Sequence, residues 1–240
     1  MSSLENALEI LGLLNPKREV LRVSEVARDL DIPKSSVSRL LQTMCASGLL
    51  EREEAGQGYL AGPLSLTLGT LYRNRFSAVD DADRIVTRLI AQFGFTGYVS
   101  CLSEDVIVLL RVRQGSYPLR HVRDVGTKLP AFKTAMGLTL LSDLPLDECK
   151  RRFDLAPRDG LSWEGVAGKL EALKQDGVIV AESVLTPGII TISALARHHC
   201  LEERVAVAIG FPENAADAPM RETIARELLE GASFINAKNK

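Results

Sequence analysis

The residues with the clearest chemical potential lie between positions 34 and 42, where polar side chains recur without any acidic residue. Arginine can donate two hydrogen bonds to a guanine edge, glutamine can pair in the same way with adenine, and lysine or serine suits phosphate oxygens. This chemistry is that of a surface for double-stranded DNA, and the alternative is the solvated face of an ordinary helix. The candidate DNA-binding residues in this stretch are Lys34, Ser35, Ser36, Ser38, Arg39 and Gln42.

Apolar residues in the same stretch recur with the period of an α-helix. Val37, Leu40, Leu41 and Met44 stand at i, i+3, i+4 and i+7, so they form one stripe. The polar candidates fall largely off that stripe, and Gly48 follows as a left-handed end to the helix. The spacing therefore predicts a helix that packs one side against a core and leaves its polar side available.

Two shorter helices are predicted ahead of this one. Ser2 and Glu5 have the spacing of a capping box at the start of the first helix. Ser24 is placed as the cap of a second helix over residues 25–30, and Pro33 as the first residue of the polar-faced helix. The tight turn between the second and third helices is typical of a helix-turn-helix.

A small hairpin is predicted after the third helix. Its strands cover residues 49–52 and 59–61, and Arg52 and Gln57 are its candidate DNA contacts. Three helices followed by such a hairpin make a winged helix-turn-helix, in which the start of the third helix reads the major groove.

The charge balance limits the size of any DNA-binding surface. The formal net charge of the chain is −2, and residues 1–62 contain seven Lys and Arg residues against nine Asp and Glu residues. The stretch 33–47 contains Lys34 and Arg39 and no acid, whereas glutamates outnumber Arg52 in the hairpin. A DNA-facing surface must therefore be small, and the hairpin is expected to make few phosphate contacts.

The rest of the sequence predicts an α+β domain with a mostly antiparallel sheet, because a run of strands has helices inserted on one side. Helices are predicted over 64–77, 80–93, 130–142, 146–153, 162–175 and 217–237, and strands over 96–102, 105–112, 118–125, 178–181, 189–196 and 204–211. We expect a winged helix-turn-helix DNA-binding domain at 1–62, a linker helix at 63–79 and a second domain at 80–240.

Cysteine and histidine spacing gives no reason to expect a metal or a cofactor. The four cysteines form no C-x-x-C pair. His198, His199 and Cys200 are consecutive, and neighbours on a strand face opposite sides, so they cannot easily share one ion. The chain begins without a basic segment followed by an apolar run and holds no long apolar stretch, so we expect a cytoplasmic protein with no membrane contact.

Residues 24–60, SEVARDLDIPKSSVSRLLQTMCASGLLEREEAGQGYL, resemble the DNA-binding domain of the isocitrate lyase regulator (IclR) family. VGTKLPAFKTAMGLTLLSDLP, at 125–145, resembles the effector domain of that family, and PGIITISALARHHCLEERVAVAIGFP, at 187–212, resembles its closing strands. The resemblance implies a GAF-like effector-binding domain and a homodimer or homotetramer that binds a double-stranded operator. It also implies control of catabolic genes by a small organic acid.

The resemblance further implies a ligand pocket in the second domain. Backbone amides of Ala135 and Met136 and the side chains of His121 and Thr191 would donate hydrogen bonds to an acid. This chain has Thr191 where several relatives have cysteine, and Phe132 where they have histidine. The matching effector-binding positions are Pro118, His121, Leu129, Ala135, Met136, Glu182, Ile189 and Thr191.

Three functions follow as hypotheses. The first is a regulator under effector control, either a repressor or an activator. The second is a bifunctional enzyme of the biotin-ligase type, which would need a glycine- and arginine-rich adenylate loop that residues 96–211 do not contain. The third is a constitutive DNA-binding protein whose second domain only oligomerises. No phosphate-binding or nucleophile-elbow motif occurs in the sequence, so a non-enzymatic role is expected.

Overall fold

The computed structural model describes residues 2–15, 17–54, 56–74, 77–117, 122–157, 160–198 and 203–238. The chain divides into two compact units, Met1–Arg75 and Phe76–Lys240. Each unit has its own hydrophobic core.

The N-terminal unit is a winged helix-turn-helix built around one small core. Its elements are α1 (Ser3–Gly12), α2 (Val23–Asp29), α3 (Lys34–Ala46), β1 (Leu50–Arg52), β2 (Tyr59–Ala61) and α4 (Pro63–Asn74). Ile10 from α1, Val26 from α2 and Leu41 from α3 are fully buried in this core. The apolar stripe predicted on α3 thus packs against the two helices before it.

The starts of the helices agree only partly with the sequence prediction. The capping box of α1 is present, since Glu5 N–H donates to Ser2 Oγ at 3.2 Å and Ser2 N–H donates to Glu5 Oε2 at 2.5 Å. The prediction that Ser24 caps α2 is wrong, because the helix begins at Val23 and the residue before it, Arg22, makes no side-chain cap. Pro33 precedes α3 as its cap residue instead of opening the helix.

The wing is attached to the core by a short backbone pairing in addition to the one between β1 and β2. Arg52 on β1 stands opposite Tyr59 on β2 in antiparallel register. Leu21 N–H donates to the Tyr59 carbonyl at 2.8 Å, and Tyr59 N–H donates back to the Leu21 carbonyl at 2.9 Å. Because Leu21 and Tyr59 are buried, the base of the wing cannot move independently of the core.

The C-terminal unit is an antiparallel sheet between two layers of helices. Its elements are α5 (Ser77–Phe93), β3 (Thr96–Ser103), β4 (Val106–Arg113), β5 (Lys128–Pro130), α6 (Ala135–Leu141), α7 (Leu146–Leu155), α8 (Trp163–Asp176), β6 (Val178–Glu182), β7 (Ile189–His198), β8 (Glu203–Pro212) and α9 (Ala218–Lys238). The sheet has the order β5-β4-β3-β8-β7-β6, and all neighbouring strands are antiparallel. The α+β prediction is confirmed.

Helices cover both faces of this sheet, so the prediction of helices on one side is wrong. Along β8, Val205 and Val207 belong to a core with α5 and α9, whereas Ala206 and Ala208 belong to a core with α6, α7 and α8. Both faces of the strand are therefore buried, which explains why residues 205–211 are free of charged and polar side chains and show no alternation that would reveal two helical layers.

The third predicted strand, at 118–125, is not found where it was expected. Residues 118–121 lie outside the described residues, and 122–125 are not in a strand. A turn stands there, since Thr127 N–H donates to the Asp124 carbonyl at 3.1 Å and Gly126 has a φ of 85°. The strand beside β4 is β5, which pairs Leu129 with Ile107.

Two helix boundaries also differ from the prediction. Residues 63–74 are helical in α4, and α5 already includes Ser77, three residues before its predicted start. The helix predicted over 130–142 is split into a 3-10 turn at Ala131–Lys133 and α6, because Thr134 is extended. Within the described ranges, none of the helices is long and apolar enough to cross a membrane.

Candidate functional site

The polar face of α3 is open to solvent as the sequence predicted. Lys34, Ser35, Arg39 and Gln42 are exposed. Ser36 and Ser38 are half-buried. Contact of these residues with DNA stays a prediction. A recognition helix needs its polar side chains on one accessible face, and α3 has this arrangement.

Hydrogen bonds orient part of this face. Gln42 Nε2 donates to Ser38 Oγ at 3.3 Å, one turn earlier on the helix. Thr43 Oγ1 donates to the Arg39 carbonyl at 2.9 Å. Arg39 and Lys34 have no ion-pair partner within the described part of the chain. Their charges are therefore available to a ligand.

Two arginines near α3 share one carboxylate: Arg18, which precedes α2, and Arg28, within α2, both pair with Asp29. Asp29 Oδ2 accepts from Arg18 at 2.7 Å, and Asp29 Oδ1 accepts from Arg28 at 3.1 Å. The hydrogen bond from Arg18 is the main cause that holds the pKa of Asp29 below its usual value. Lys34 and Arg39 on α3 differ from these two arginines in making no ion pair among the described residues.

The wing offers little positive charge of its own. The Arg52 guanidinium lies over the Tyr59 ring, 4.9 Å from its centroid, which fixes the side chain by a cation–π contact. Gln57 is exposed at the tip, and Glu51 and Glu54 are exposed on the same hairpin. The structure thus places both predicted wing residues at the surface, among acidic neighbours.

A cavity of about 550 Å³ lies in the C-terminal unit. It is lined by residues from all six strands of the sheet, from the start of α6, and from the loop between β6 and β7. Six of the eight predicted effector-binding residues line it, namely Leu129, Ala135, Met136, Glu182, Ile189 and Thr191. The other two, Pro118 and His121, lie outside the described residues.

The cavity wall also contains polar residues that the sequence did not single out. Tyr98, Tyr117, Arg123, Thr134, Ser183 and Asn214 all line it. Arg123 is the one cationic side chain, and Glu182 the one anionic side chain, among the described lining residues. Apolar walls with a few convergent polar groups are the usual composition of a small-molecule site.

Tyr98 supplies a neutral hydroxyl to this cavity. The residue is only 9% exposed, and this burial raises the pKa of its phenol to about 12, against a smaller lowering by the Arg123 charge. A Cβ at position 210 would lie 3.2 Å from the Tyr98 ring, so glycine at this position avoids a close contact with the ring. The phenol stays protonated at neutral pH and can donate a hydrogen bond.

The start of α6 is shaped by its own side chains. Gly137 N–H donates to Thr134 Oγ1 at 3.0 Å, which satisfies one of the amides of the first turn. The amides of Ala135 and Met136 cannot bond within the helix, as is general for a first turn. Because α6 has only seven residues, its dipole is small, and side chains must supply most of the stabilisation of an anion.

Glu182 has a structural role beside its position in the wall. Its Oε1 accepts the backbone N–H of Gly188 at 3.1 Å, and Gly188 has a φ of 78°, in the left-handed region. This bond closes the loop between β6 and β7. The loop carries Thr186 and Pro187 into the cavity wall.

Comparison with known families gives two matches that together span nearly the whole chain. Residues 3–54 match the IclR helix-turn-helix domain. Residues 71–237 match the bacterial transcriptional regulator IclR C-terminal domain. The two matches follow the order of the two structural units.

Individual relatives agree with these matches. The chain is 27% identical over 198 residues to the HTH-type transcriptional regulator BhcR of Paracoccus denitrificans, covering 80% of this chain and 71% of that protein. It has the fold of an IclR transcriptional regulator from Alicyclobacillus acidocaldarius, with a TM-score of 0.81 at 19% identity over 99% of this chain and 98% of that one. An IclR homologue from Microbacterium hydrocarbonoxydans, solved in complex with 4-hydroxybenzoate, gives 0.80 at 20% identity over 98% of this chain and 100% of that one.

Proposed function

Because the chain belongs to the IclR family of transcriptional regulators, we propose that it is a cytoplasmic repressor of a catabolic operon, released from its operator by a small organic acid. The family consists of DNA-binding regulators and not of enzymes, so the biotin-ligase alternative is set aside. In this proposal residues 1–62 bind DNA, 63–79 form the linker and 80–240 bind the effector.

The observation that carries the proposal is the presence of two separate binding features in one chain. One is the exposed face of α3 with Lys34 and Arg39, which make no ion pair with any described residue. The other is the 550 Å³ cavity in the C-terminal unit. A protein that only oligomerises through its second domain would have no use for such a cavity.

In the DNA-bound state, Arg39 and Gln42 read base edges in the major groove. Lys34, Ser35, Ser36 and Ser38 hold phosphates and set the register. Arg52 and Gln57 add backbone contacts from the wing. The exposure of Arg39 and Gln42 and the hydrogen bond that orients Gln42 support this division of roles.

An acid is the favoured effector class for two reasons. The cavity contains Arg123 and several hydroxyl groups, which can hold a carboxylate. A relative with the same fold was solved with 4-hydroxybenzoate, an aromatic acid. Pro118 and His121 stay in the proposed set beside the six residues that line the cavity.

A homodimer or homotetramer is part of the proposal, because operators of helix-turn-helix dimers contain two half-sites. The N-terminal unit exposes large apolar side chains that a second copy would cover. They are Leu4 and Leu8 on α1 and Leu66, Leu68 and Leu71 on α4, each more than half exposed. Single exposed leucines are common, but five on two helices of a small unit are an unusual concentration.

Fluorescence anisotropy with the promoter of its own gene and those of neighbouring genes tests the proposal, with a scrambled duplex as control and with salt titrated. Tight, sequence-preferring binding that small acids weaken supports a repressor. Binding that acids strengthen supports the activator alternative. Equal affinity for promoter and scrambled duplex, with and without acids, contradicts the proposal.

A further inference from the structure

Arg123 has no acidic partner among the described residues, unlike the two arginines of β4. Arg111 on β4 pairs with Asp80 at 3.2 Å. Arg113 on the same strand pairs with Asp83 at 2.7 Å. Arg123 is half-buried in the cavity wall, and within the described ranges it makes no ion pair or hydrogen bond. A guanidinium withdrawn from water in this way is stabilised by an anion that enters the cavity.

From these contacts we infer that Arg123 anchors the single carboxylate of a monoanionic acid with an aromatic or branched apolar body, and that the cavity favours monoanions over dianions. This inference rests on the proposed effector function, and it names the charge and the chemical class of the ligand.

A second donor stands beside the anchor. The Tyr98 phenol lines the same cavity, is almost fully buried, and is close enough to Arg123 for the two groups to interact electrostatically. Since the phenol remains protonated, it can donate to a carboxylate oxygen while the guanidinium donates to the other. Two such donors fix the orientation of the acid as well as its charge.

The charges in the wall set the limit of one carboxylate. No second cation occurs among the described lining residues, and Glu182 adds a negative charge to the same wall. A second carboxylate, or the second charge of a phosphate, would be withdrawn from water without a partner and would be repelled by Glu182. Among the described lining residues, one cation thus stands against one carboxylate, which favours a monoanion over a dianion.

The cavity volume and its apolar walls determine the size and apolar character of the group that is attached to the carboxylate. Leu109, Leu129, Met136 and Ile189 line the cavity with Tyr117. An acid of two or three carbons would leave most of the 550 Å³ and these apolar side chains without contacts. A ring or a branched chain attached to the carboxylate fills this space.

Titration calorimetry on the full chain tests the inference with four probes: benzoate, phenylacetate, the neutral isostere benzamide, and benzene-1,4-dicarboxylate. Benzoate or phenylacetate is expected to bind at millimolar concentration or below, and the dicarboxylate at least about tenfold more weakly. Failure of both monoacids to bind, or equal binding of the dicarboxylate, overturns the inference.

Variants separate the charge of Arg123 from its volume. Arg123→Gln is expected to weaken the monoacids by about tenfold or more and to leave benzamide unchanged, whereas Arg123→Lys retains part of the affinity. Arg88→Gln, on the exposed side of α5, is the matched control and should bind like the parent. Parent-like acid binding by Arg123→Gln contradicts the assignment, and thermal denaturation of each variant without ligand checks its folding.

Failure of this inference can be told apart from failure of the proposed function, because calorimetry needs no DNA. Charge-dependent acid binding with no operator preference would contradict the proposed regulator function and leave the anchor role of Arg123 intact. Sequence-preferring operator binding by a protein that binds none of the monoacids would contradict the anchor role of Arg123 and leave the proposed DNA-binding function intact.

Discussion

The Glu203 carboxylate accepts a hydrogen bond from the backbone N–H of Ala78 at 3.1 Å, although 125 positions separate the two residues. Both are buried, and Ala78 is the second residue of α5. The carboxylate therefore caps the first turn of this helix, where amides lack partners and a negative charge is favourable. Glu203 begins β8, and Gly210 and Pro212 near the other end of that strand line the cavity.

Replacing Glu203 should loosen the start of α5. Glu203→Ala removes the cap and leaves a buried amide without a partner, so we expect a loss of about 2 kcal/mol in the free energy of unfolding. Glu203→Gln keeps an acceptor and should lose about 1 kcal/mol. Urea denaturation measures both changes. Glu222→Gln, exposed on α9, is the control and should change stability by less than about 0.5 kcal/mol; an equal effect of Glu203→Ala and Glu222→Gln would refute the capping role.

Removal of the Arg39 side chain should alter specificity as well as affinity. Arg39→Ala is expected to cost about 1–3 kcal/mol on the operator and to relax preference at one base pair, if the guanidinium reads a base. Lys34→Ala should instead weaken binding to all sequences alike and reduce the salt slope by about one. Anisotropy on a set of single-base operator variants distinguishes the two patterns. A uniform loss for Arg39→Ala would make it a phosphate contact.

Gly137 should not tolerate a side chain. A Cβ there would lie 2.1 Å from the Ala131 carbonyl oxygen, so α6 and the preceding 3-10 turn would have to separate. We expect Gly137→Ala to lower the free energy of unfolding by about 1–3 kcal/mol. Gly168→Ala is a matched control within α8, where a Cβ meets nothing within 4 Å. It should raise stability by about 0.5–1 kcal/mol, and two variants of equal stability would contradict this packing.

The burial of Tyr98 should make the free energy of unfolding depend on pH in the alkaline range. Its phenol has a pKa near 12 in the folded chain and an ordinary value of 10.0 when unfolded. Between these values the unfolded state has lost the proton and the folded state retains it, so this residue makes stability fall as pH rises from about 10 to about 12. The contribution is about 1–3 kcal/mol over that window.

The comparison of the parent with Tyr98→Phe isolates this contribution, because all other titrating groups are common to both proteins. Denaturation midpoints measured in steps from pH 9 upward should decline less steeply for Tyr98→Phe. Parallel pH profiles would mean that the phenol titrates normally, and the cavity would then lack a protonated donor at this position.

Local patterns predicted the N-terminal unit well because each of its helices buries only one side. Val37, Leu41 and Met44 repeat with helical spacing and are buried, and the polar residues between them are exposed or half-buried. The cap of α2 was missed because Ser24 is a good cap residue by type, whereas the pairing of Leu21 with Tyr59 fixes where the chain leaves the extended conformation.

The C-terminal unit was harder to predict because its strands are buried on both faces. Six cavity residues were found through family resemblance, whereas Tyr98 and Arg123 carry no local signal. Tyr98 stands in a strand whose first six residues are all buried, so no alternation identifies the side that faces the cavity. Arg123 lies in a loop, and its position depends on the turn at Gly126 and on tertiary packing that spacing does not encode.

The acidic wing affects how the protein would search a chromosome. Glu51 and Glu54 are exposed beside a single arginine that lies over the Tyr59 ring, so the wing adds little attraction for the phosphate backbone of a random duplex. In the proposed regulator, weak attraction of this kind would shorten residence on random sequence. Less of the protein would then be held at sites other than the operator.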